Sequence, residues 1–360
     1  MARDGDDILD AITLLLGSLM ATLDTLGAIA RLMHPPHLAT LVDMLGDRDA
    51  TLSQALDRFR AIALPDNLAR FRDQAEHAAG HAVRSAEGLR VALQSENPLL
   101  GALRALRHAQ RAQEDLYPLA AILPTVSQYF LEPSRRDDAE LLARLKHPAA
   151  DTGVMHAAND TGTRGGFSVY VPEYNDAAAS APLIVALHGG SGHGRLFLWT
   201  WLREARTRGA ILIAPTAVDR TWSLMDPDLD IGNITRILDQ VKQRWAVDTK
   251  RMLLTGMSDG GTFTLLSGLH EDSPFSHLAP VAASFHPLLL AASEPHRVRG
   301  LPVMLTHGTL DWMFPISVGR GAAQALTMAG ADLTFREIKD LSHAYPRDEN
   351  GEIMDWFLGT

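Results

Sequence analysis

The stretch that most constrains this 360-residue chain runs Arg251-Met252-Leu253-Leu254-Thr255-Gly256-Met257-Ser258-Asp259-Gly260-Gly261. An apolar, β-rich run leads into Gly-x-Ser-x-Gly, and Thr262-Phe263-Thr264-Leu265-Leu266 then has helical character. Glycines two before and two after the serine permit a turn so tight that side chains there would collide. Such a turn pushes the serine hydroxyl out at the top of a sheet. It requires a strand on one side and a helix on the other, which predicts layered α/β structure for this part of the chain.

The surrounding grammar agrees. Short β-rich runs at 166–172, 183–188, 210–214, 251–255, 281–284, 303–307 and 333–338 alternate with helical stretches near 195–208, 230–246, 259–270, 316–329 and 350–358. Apolar strands alternating with helices imply a mostly parallel sheet covered on both faces. Residues 1 to about 145 read differently. They are helical, rich in Ala, Leu, Arg, Asp and Glu, and broken at His34-Pro35-Pro36, Leu64-Pro65-Asp66-Asn67, Glu96-Asn97-Pro98 and Glu132-Pro133-Ser134. These breaks predict four segments of about 25 to 35 residues, with Leu41, Leu45, Leu52 and Leu56 along one face. The expected organisation is an all-α domain over 1–145 followed by an α/β domain over 146–360, in keeping with a length that suits about two domains.

A net charge of -10 gives no basic footprint for nucleic acid or anionic lipid. Cysteine is absent, so disulfides, thiolate nucleophiles and thiolate metal ligands are excluded. Ile8 to Met33 is strongly apolar, but acidic residues precede it and Asp10, Thr13, Ser18, Thr22, Asp24 and Thr25 interrupt it. A signal peptide begins with basic residues, and a charge inside a spanning segment is costly. The reading is an amphipathic helix in a cytoplasmic protein without stable membrane insertion. Its apolar face is wider than one bundle seam requires, which predicts that it packs on the α/β domain or on a partner chain. His77 and His81 lie four apart with Glu76 beside them, but no third ligand accompanies them, so a solvated helix face is expected and no metal or cofactor.

The groups with chemistry fall at the carboxyl ends of strands, where such sheets gather their functional residues. Ser258 follows the strand 251–255. Asp311 lies just past the tip of the strand ending at His307, and His343 lies in the loop after the strand ending near Ile338. A serine hydroxyl is a weak nucleophile until a base takes its proton, and an imidazole titrating near neutrality suits that role. A carboxylate behind the imidazole holds the right tautomer and stabilises the imidazolium. Position favours Asp311 over Asp332 and Asp340, and His343 over His270, His286 and His307. The order serine, acid, histidine differs from both large serine-protease orders. A developing oxyanion needs preorganised donors. Leu187-His188-Gly189-Gly190-Ser191-Gly192 offers the backbone of Gly189 and Gly190, and the second donor is the amide of Asp259. Trp222 and Trp312, with Trp199, Trp201, Met313 and Phe314 nearby, are expected to line an apolar acyl or aryl pocket.

With these residues in view, the part from about 150 to 360 resembles the α/β-hydrolase superfamily, specifically phospholipase/carboxylesterase and dienelactone-hydrolase-like esterases. The matching stretches are Leu187-His188-Gly189-Gly190, Gly256-Met257-Ser258-Asp259-Gly260-Gly261, His307-Gly308-Thr309-Leu310-Asp311 with Pro315, and Ser342-His343. The Gly-Met-Ser-x-Gly-Gly form is also similar to feruloyl esterases and polyhydroxybutyrate depolymerases. The resemblance implies Ser258, Asp311 and His343 as a catalytic triad and an ester as the small-molecule substrate. Dienelactone hydrolases that use a cysteine nucleophile have no counterpart here. A peptidase or amidase of the same fold, or an inactive hydrolase-like scaffold whose helical domain mediates assembly, are the alternatives. The resemblance does not extend to the first 145 residues; a lid or a homo-oligomer interface is expected of them.

Overall fold

A computed structural model describes residues 2–176, 179–291 and 293–360. The chain divides into two compact units, Met1–Asp137 and Asp138–Thr360.

The first unit is helical: α1 (Ala2–Arg31), α2 (Leu38–Asp43), α3 (Arg48–Ala61), α4 (Ala69–Ala92), α5 (Pro98–Leu116) and α6 (Pro124–Tyr129). Two of the four long segments expected here are subdivided. The second is broken at the turn 44–47, and the last is interrupted between Tyr117 and Leu123, where Pro118 and Pro124 cannot continue a helix. α5 begins where Asn97 accepts the amide of Leu100 at 3.0 Å and Pro98 occupies the first helical position. Leu15, Leu19, Leu26 and Ile29 of α1 are wholly buried. By length and composition Asp6–Arg31 is apolar enough to cross a membrane. Small residues line the seam of the next pair: Ala78, Ala82 and Ala86 on α4, and Ala102, Ala105 and Ala112 on α5 are buried. Arg90 of α4 grips both carboxylate oxygens of Asp49 on α3, at 2.7 and 3.0 Å.

The second unit opens with α7 (Ala139–Leu145) and then builds an eight-stranded sheet in the order β1-β2-β4-β3-β5-β6-β7-β8. The strands are β1 (Gly153–Ala157), β2 (Phe167–Val171), β3 (Ala181–Leu187), β4 (Ile211–Pro215), β5 (Val247–Met257), β6 (His277–Val281), β7 (Pro302–Gly308) and β8 (Asp332–Ile338). β2 runs antiparallel to both its neighbours, and every other pairing is parallel. The helices are α8 (Gly194–Arg208), α9 (Asp228–Arg244), α10 (Asp259–Gly268), α11 (Leu288–Ala291), α12 (Pro295–Val298), α13 (Ile316–Met328) and α14 (Asn350–Leu358). Leu183, Val185, Leu187, Ile211, Ile213 and Leu254 are fully buried, as central strands of a sheet covered on both faces must be. This is the α/β architecture expected from the sequence, with its parallel strands delivering their ends to one edge.

Two strand expectations change. β1, whose run Gly-Val-Met-His-Ala has little apolar continuity, pairs with β2 although its own sequence gives no strong strand signal. The strand expected at 281–284 instead spans His277–Val281 and contains Pro280. Its neighbours β5 and β7 hold it in register despite the proline, and Ala282 leaves the sheet with φ of 47°.

Candidate active site

β5 and α10 meet at Ser258, whose φ of 56° and ψ of -119° lie in a region non-glycine residues rarely enter. The strain is held by packing on every side. A side-chain carbon on Gly256 would lie 2.5 Å from the Gly260 carbonyl oxygen, and one on Gly260 would lie 2.5 Å from the carbonyl oxygens of Leu187 and His188. The Ser258 amide donates to the Val281 carbonyl at 2.9 Å, which ties the turn to the end of β6. What remains free to point outward is the hydroxyl.

That hydroxyl meets His343 Nε2 at 3.1 Å, and His343 Nδ1 meets Asp311 Oδ2 at 2.9 Å. A carboxylate oxygen only accepts, so Nδ1 carries the proton and Nε2 faces Ser258 as an acceptor. Asp311 is fixed in turn: its Oδ1 accepts the amides of Met313 at 2.9 Å and Phe314 at 2.8 Å. Burial opposes the Asp311 charge, but the hydrogen bonds from His343 and the Phe314 amide outweigh it and hold the carboxyl below its usual value. The three groups come from loops after β5, β7 and β8 and form one hydrogen-bonded line. Of the rival residues, His307 touches the acid, its Nε2 lying 3.6 Å from Asp311 Oδ2, beyond hydrogen-bond distance. His307 is fully buried and donates Nε2–H to the Phe314 carbonyl at 2.7 Å, while Asp332 opens β8 and His286 is exposed.

The expected oxyanion donors lie beside the serine. A side-chain carbon on Gly189 would sit 3.7 Å from Ser258 Cβ. Among the described residues the amides of Gly189 and Gly190 have no acceptor. Asp259 is the first residue of α10, so its amide has no intrahelical partner. His188, just before the glycines, is buried, and burial pushes its imidazole down to about 3. Its Nδ1–H donates to the Gly189 carbonyl at 2.7 Å and its Nε2 accepts the Ala217 amide at 3.1 Å, so the ring is neutral and its tautomer is fixed.

The aromatic residues divide. Trp312 is 47% exposed and presents its ring edge-on to His343 with centroids 6.0 Å apart; Phe314 does the same at 5.4 Å. Trp222 was expected to line a pocket and does not. It is 1% exposed, stacked on Phe263 and tilted against His188, with Nε1–H donating to the His188 carbonyl at 2.7 Å. Trp199 and Trp201 are likewise buried on α8; two residues apart on a helix they point to nearly opposite sides, so the helix is covered on more than one face, with Trp201 beside Tyr345. The supporting loop around Trp222 was missed in the sequence. Its only signal there was a buried-type tryptophan beside Thr221 in a polar stretch.

Residues 229–358, within the second unit, match the phospholipase/carboxylesterase family model. A bifunctional acetylxylan esterase/xylanase from Neocallimastix patriciarum is 29% identical over 147 residues, 40% of this chain and 21% of that protein. The chain thus spans about a fifth of the length of the curated relative it matches. Among solved structures, a thermostable esterase superposes with a TM-score of 0.47 and 17% identity, covering 58% of this chain and 63% of the other. Esterase 2 of Thermogutta terrifontis, phosphorylated by paraoxon, gives 0.47 and 19%, covering 57% and 93%.

Proposed function

We propose that the second unit is a serine carboxylic ester hydrolase that works through an acyl-enzyme on small to medium acyl or aryl esters. The observation that carries this reading is the line Ser258–His343–Asp311 anchored on a strained strand-to-helix turn. As Ser258 Oγ attacks the ester carbonyl, His343 Nε2 takes its proton, and Asp311 stabilises the imidazolium. The carbonyl oxygen gains negative charge and rests on the amides of Asp259 and of Gly189 or Gly190. Collapse of the tetrahedral adduct breaks the ester C–O bond, and His343 returns its proton to the departing alcohol. Water then attacks the acyl-serine with His343 as base, releasing the acid and restoring the hydroxyl. The edges of Trp312 and Phe314 near His343 support an apolar or aryl group on the substrate.

The test is a panel of p-nitrophenyl esters against aminoacyl anilides, with fluorophosphonate labelling of Ser258. Ester turnover that dies in Ser258→Ala bears the reading out. Faster anilide cleavage makes it an amidase, and absence of both turnover and labelling makes it an inactive scaffold. For the helical unit we propose self-association, supported by the exposed Leu9 and Leu14 of α1 and Leu100 and Leu103 of α5. A monomeric mass by light scattering at all concentrations ends that proposal.

A further inference from the structure

The oxyanion donors sit on two separate pieces of chain, the turn after β3 and the start of α10. One loop, between β4 and α9, grips both. On one wall the Ala217 amide holds His188 Nε2 and Trp222 Nε1–H holds the His188 carbonyl, at 3.1 and 2.7 Å. On the other wall Thr221 Oγ1 donates to Asp259 Oδ2 at 2.6 Å, and the Trp222 ring stacks on Phe263 of α10 with centroids 5.3 Å apart. The loop is itself clamped from beneath. Asp230, wholly buried on α9, accepts the Val218 amide at 2.9 Å and the Ser223 amide at 2.8 Å, one on each carboxylate oxygen. Its own amide donates to Ser223 Oγ at 3.2 Å. A carboxylate buried to hold two loop amides, with no substrate-facing role, is a costly device unless the shape of the loop matters.

We propose that Trp222 and Thr221 are positioning residues that set the separation of the two oxyanion donors, with Asp230 fixing the loop that carries them. Neither side chain touches the reacting atoms. Trp222 fixes the carbonyl of the residue before Gly189, and Thr221 fixes the side chain of the residue whose amide is the second donor. The donors must meet an oxygen that acquires charge only in the transition state, so a small error in their spacing lowers kcat and leaves ground-state binding nearly untouched. The inference rests on the ester-hydrolase reading above.

Two conservative variants of the full chain test it. Trp222→Phe removes the Nε1–H and keeps an aromatic ring in the stack. Thr221→Val removes the hydroxyl and keeps the shape. Each is expected to lower kcat on a short p-nitrophenyl ester about tenfold, less than the 10²–10³ lost when a donor is deleted outright. KM stays within about twofold, and affinity for a trifluoromethyl ketone, whose serine adduct places an oxyanion in the hole, falls by the same factor as kcat. Thr221→Ser restores both. Unchanged kcat in both variants overturns the proposal, and so does a loss that tracks thermal stability while ketone affinity is preserved. If Trp222→Phe does not fold, Thr221→Val, at a partly exposed position, still decides. Full activity in these variants with an inactive Ser258→Ala sinks the positioning role alone; a wild-type protein that turns over no ester sinks the functional reading along with it.

Discussion

The helical unit and the α/β unit hide different things. In the helical unit the buried surface is mainly apolar, with alanine along the seam of α4 and α5 and leucine along α1. Its ion pairs, such as Arg90 with Asp49 and Arg60 with Glu76, stay near solvent. In the α/β unit the apolar sheet is accompanied by buried polar groups joined in chains: Ser258, His343 and Asp311 in one, Asp230, the loop 217–223 and His188 in another. Buried polar groups cost free energy unless fully partnered. The helical unit buries fewer of them, Thr22, Ser85 and Gln113 among these. A unit that has to hold charge in a defined place cannot avoid them.

The largest effect expected from this contrast is on chemistry. Ser258→Ala should cut ester turnover by about 10⁴–10⁶, and adding His343→Ala should cost little more, because nucleophile and base act as one unit. A double variant far worse than either single one breaks that unity. Asp311→Asn should follow, with a loss of up to about 10⁴ in kcat as the wrong imidazole tautomer is favoured. Near-full activity in Asp311→Asn together with loss in Asp340→Asn moves the acid to the other residue.

Packing changes in the helical unit should cost stability and leave chemistry alone. Ala86→Leu crowds the α4–α5 seam, where Ala86 is fully buried, and should destabilise that unit by about 1–3 kcal/mol. Turnover per folded molecule, measured below the melting transition, should be unchanged; a matching loss would erase the distinction between the two units. The smallest effect concerns acid. His81 Nδ1 lies 3.1 Å from His108 Nδ1, and burial, then Arg84 and His108, push His81 down to about 4 from 6.5. Between those values the unfolded chain binds the extra proton. The contribution of His81 is therefore complete above about 6.5 and is lost as pH falls towards about 4. His81→Gln should show a shallower fall in melting temperature over that window than the wild type, and an equal slope would remove His81 as the cause.

Much of the site was legible because its residues announce themselves locally. Gly256 and Gly260 flank Ser258 at the only spacing a tight turn tolerates, and Asp311 and His343 each follow an apolar strand. The helical half was legible as helix, while its subdivisions at 44–47 and 117–123 were not, since a short turn alters the periodicity of apolar residues very little. Pro280 concealed the true extent of β6, because strand pairing from both sides overrides the local cost of a missing amide.

What the sequence determined by itself was the kind of structure and the groups of the candidate site: alternating strands and helices, a serine at a tight turn, and an aspartate and a histidine at strand tips. Those are properties of short segments, set by side-chain volume, backbone freedom and period. Only the tertiary structure decided which tryptophans face solvent and which hold the loops. Trp312 and Trp222 are alike in composition and in nearness to a strand end, yet one lies open beside His343 and the other is buried between His188 and Phe263. Burial depends on which distant segments meet around a residue. The Thr221–Asp259, Trp222–His188 and Asp230–Ser223 contacts arise only when β3, β4, α9 and α10 are brought together by the sheet.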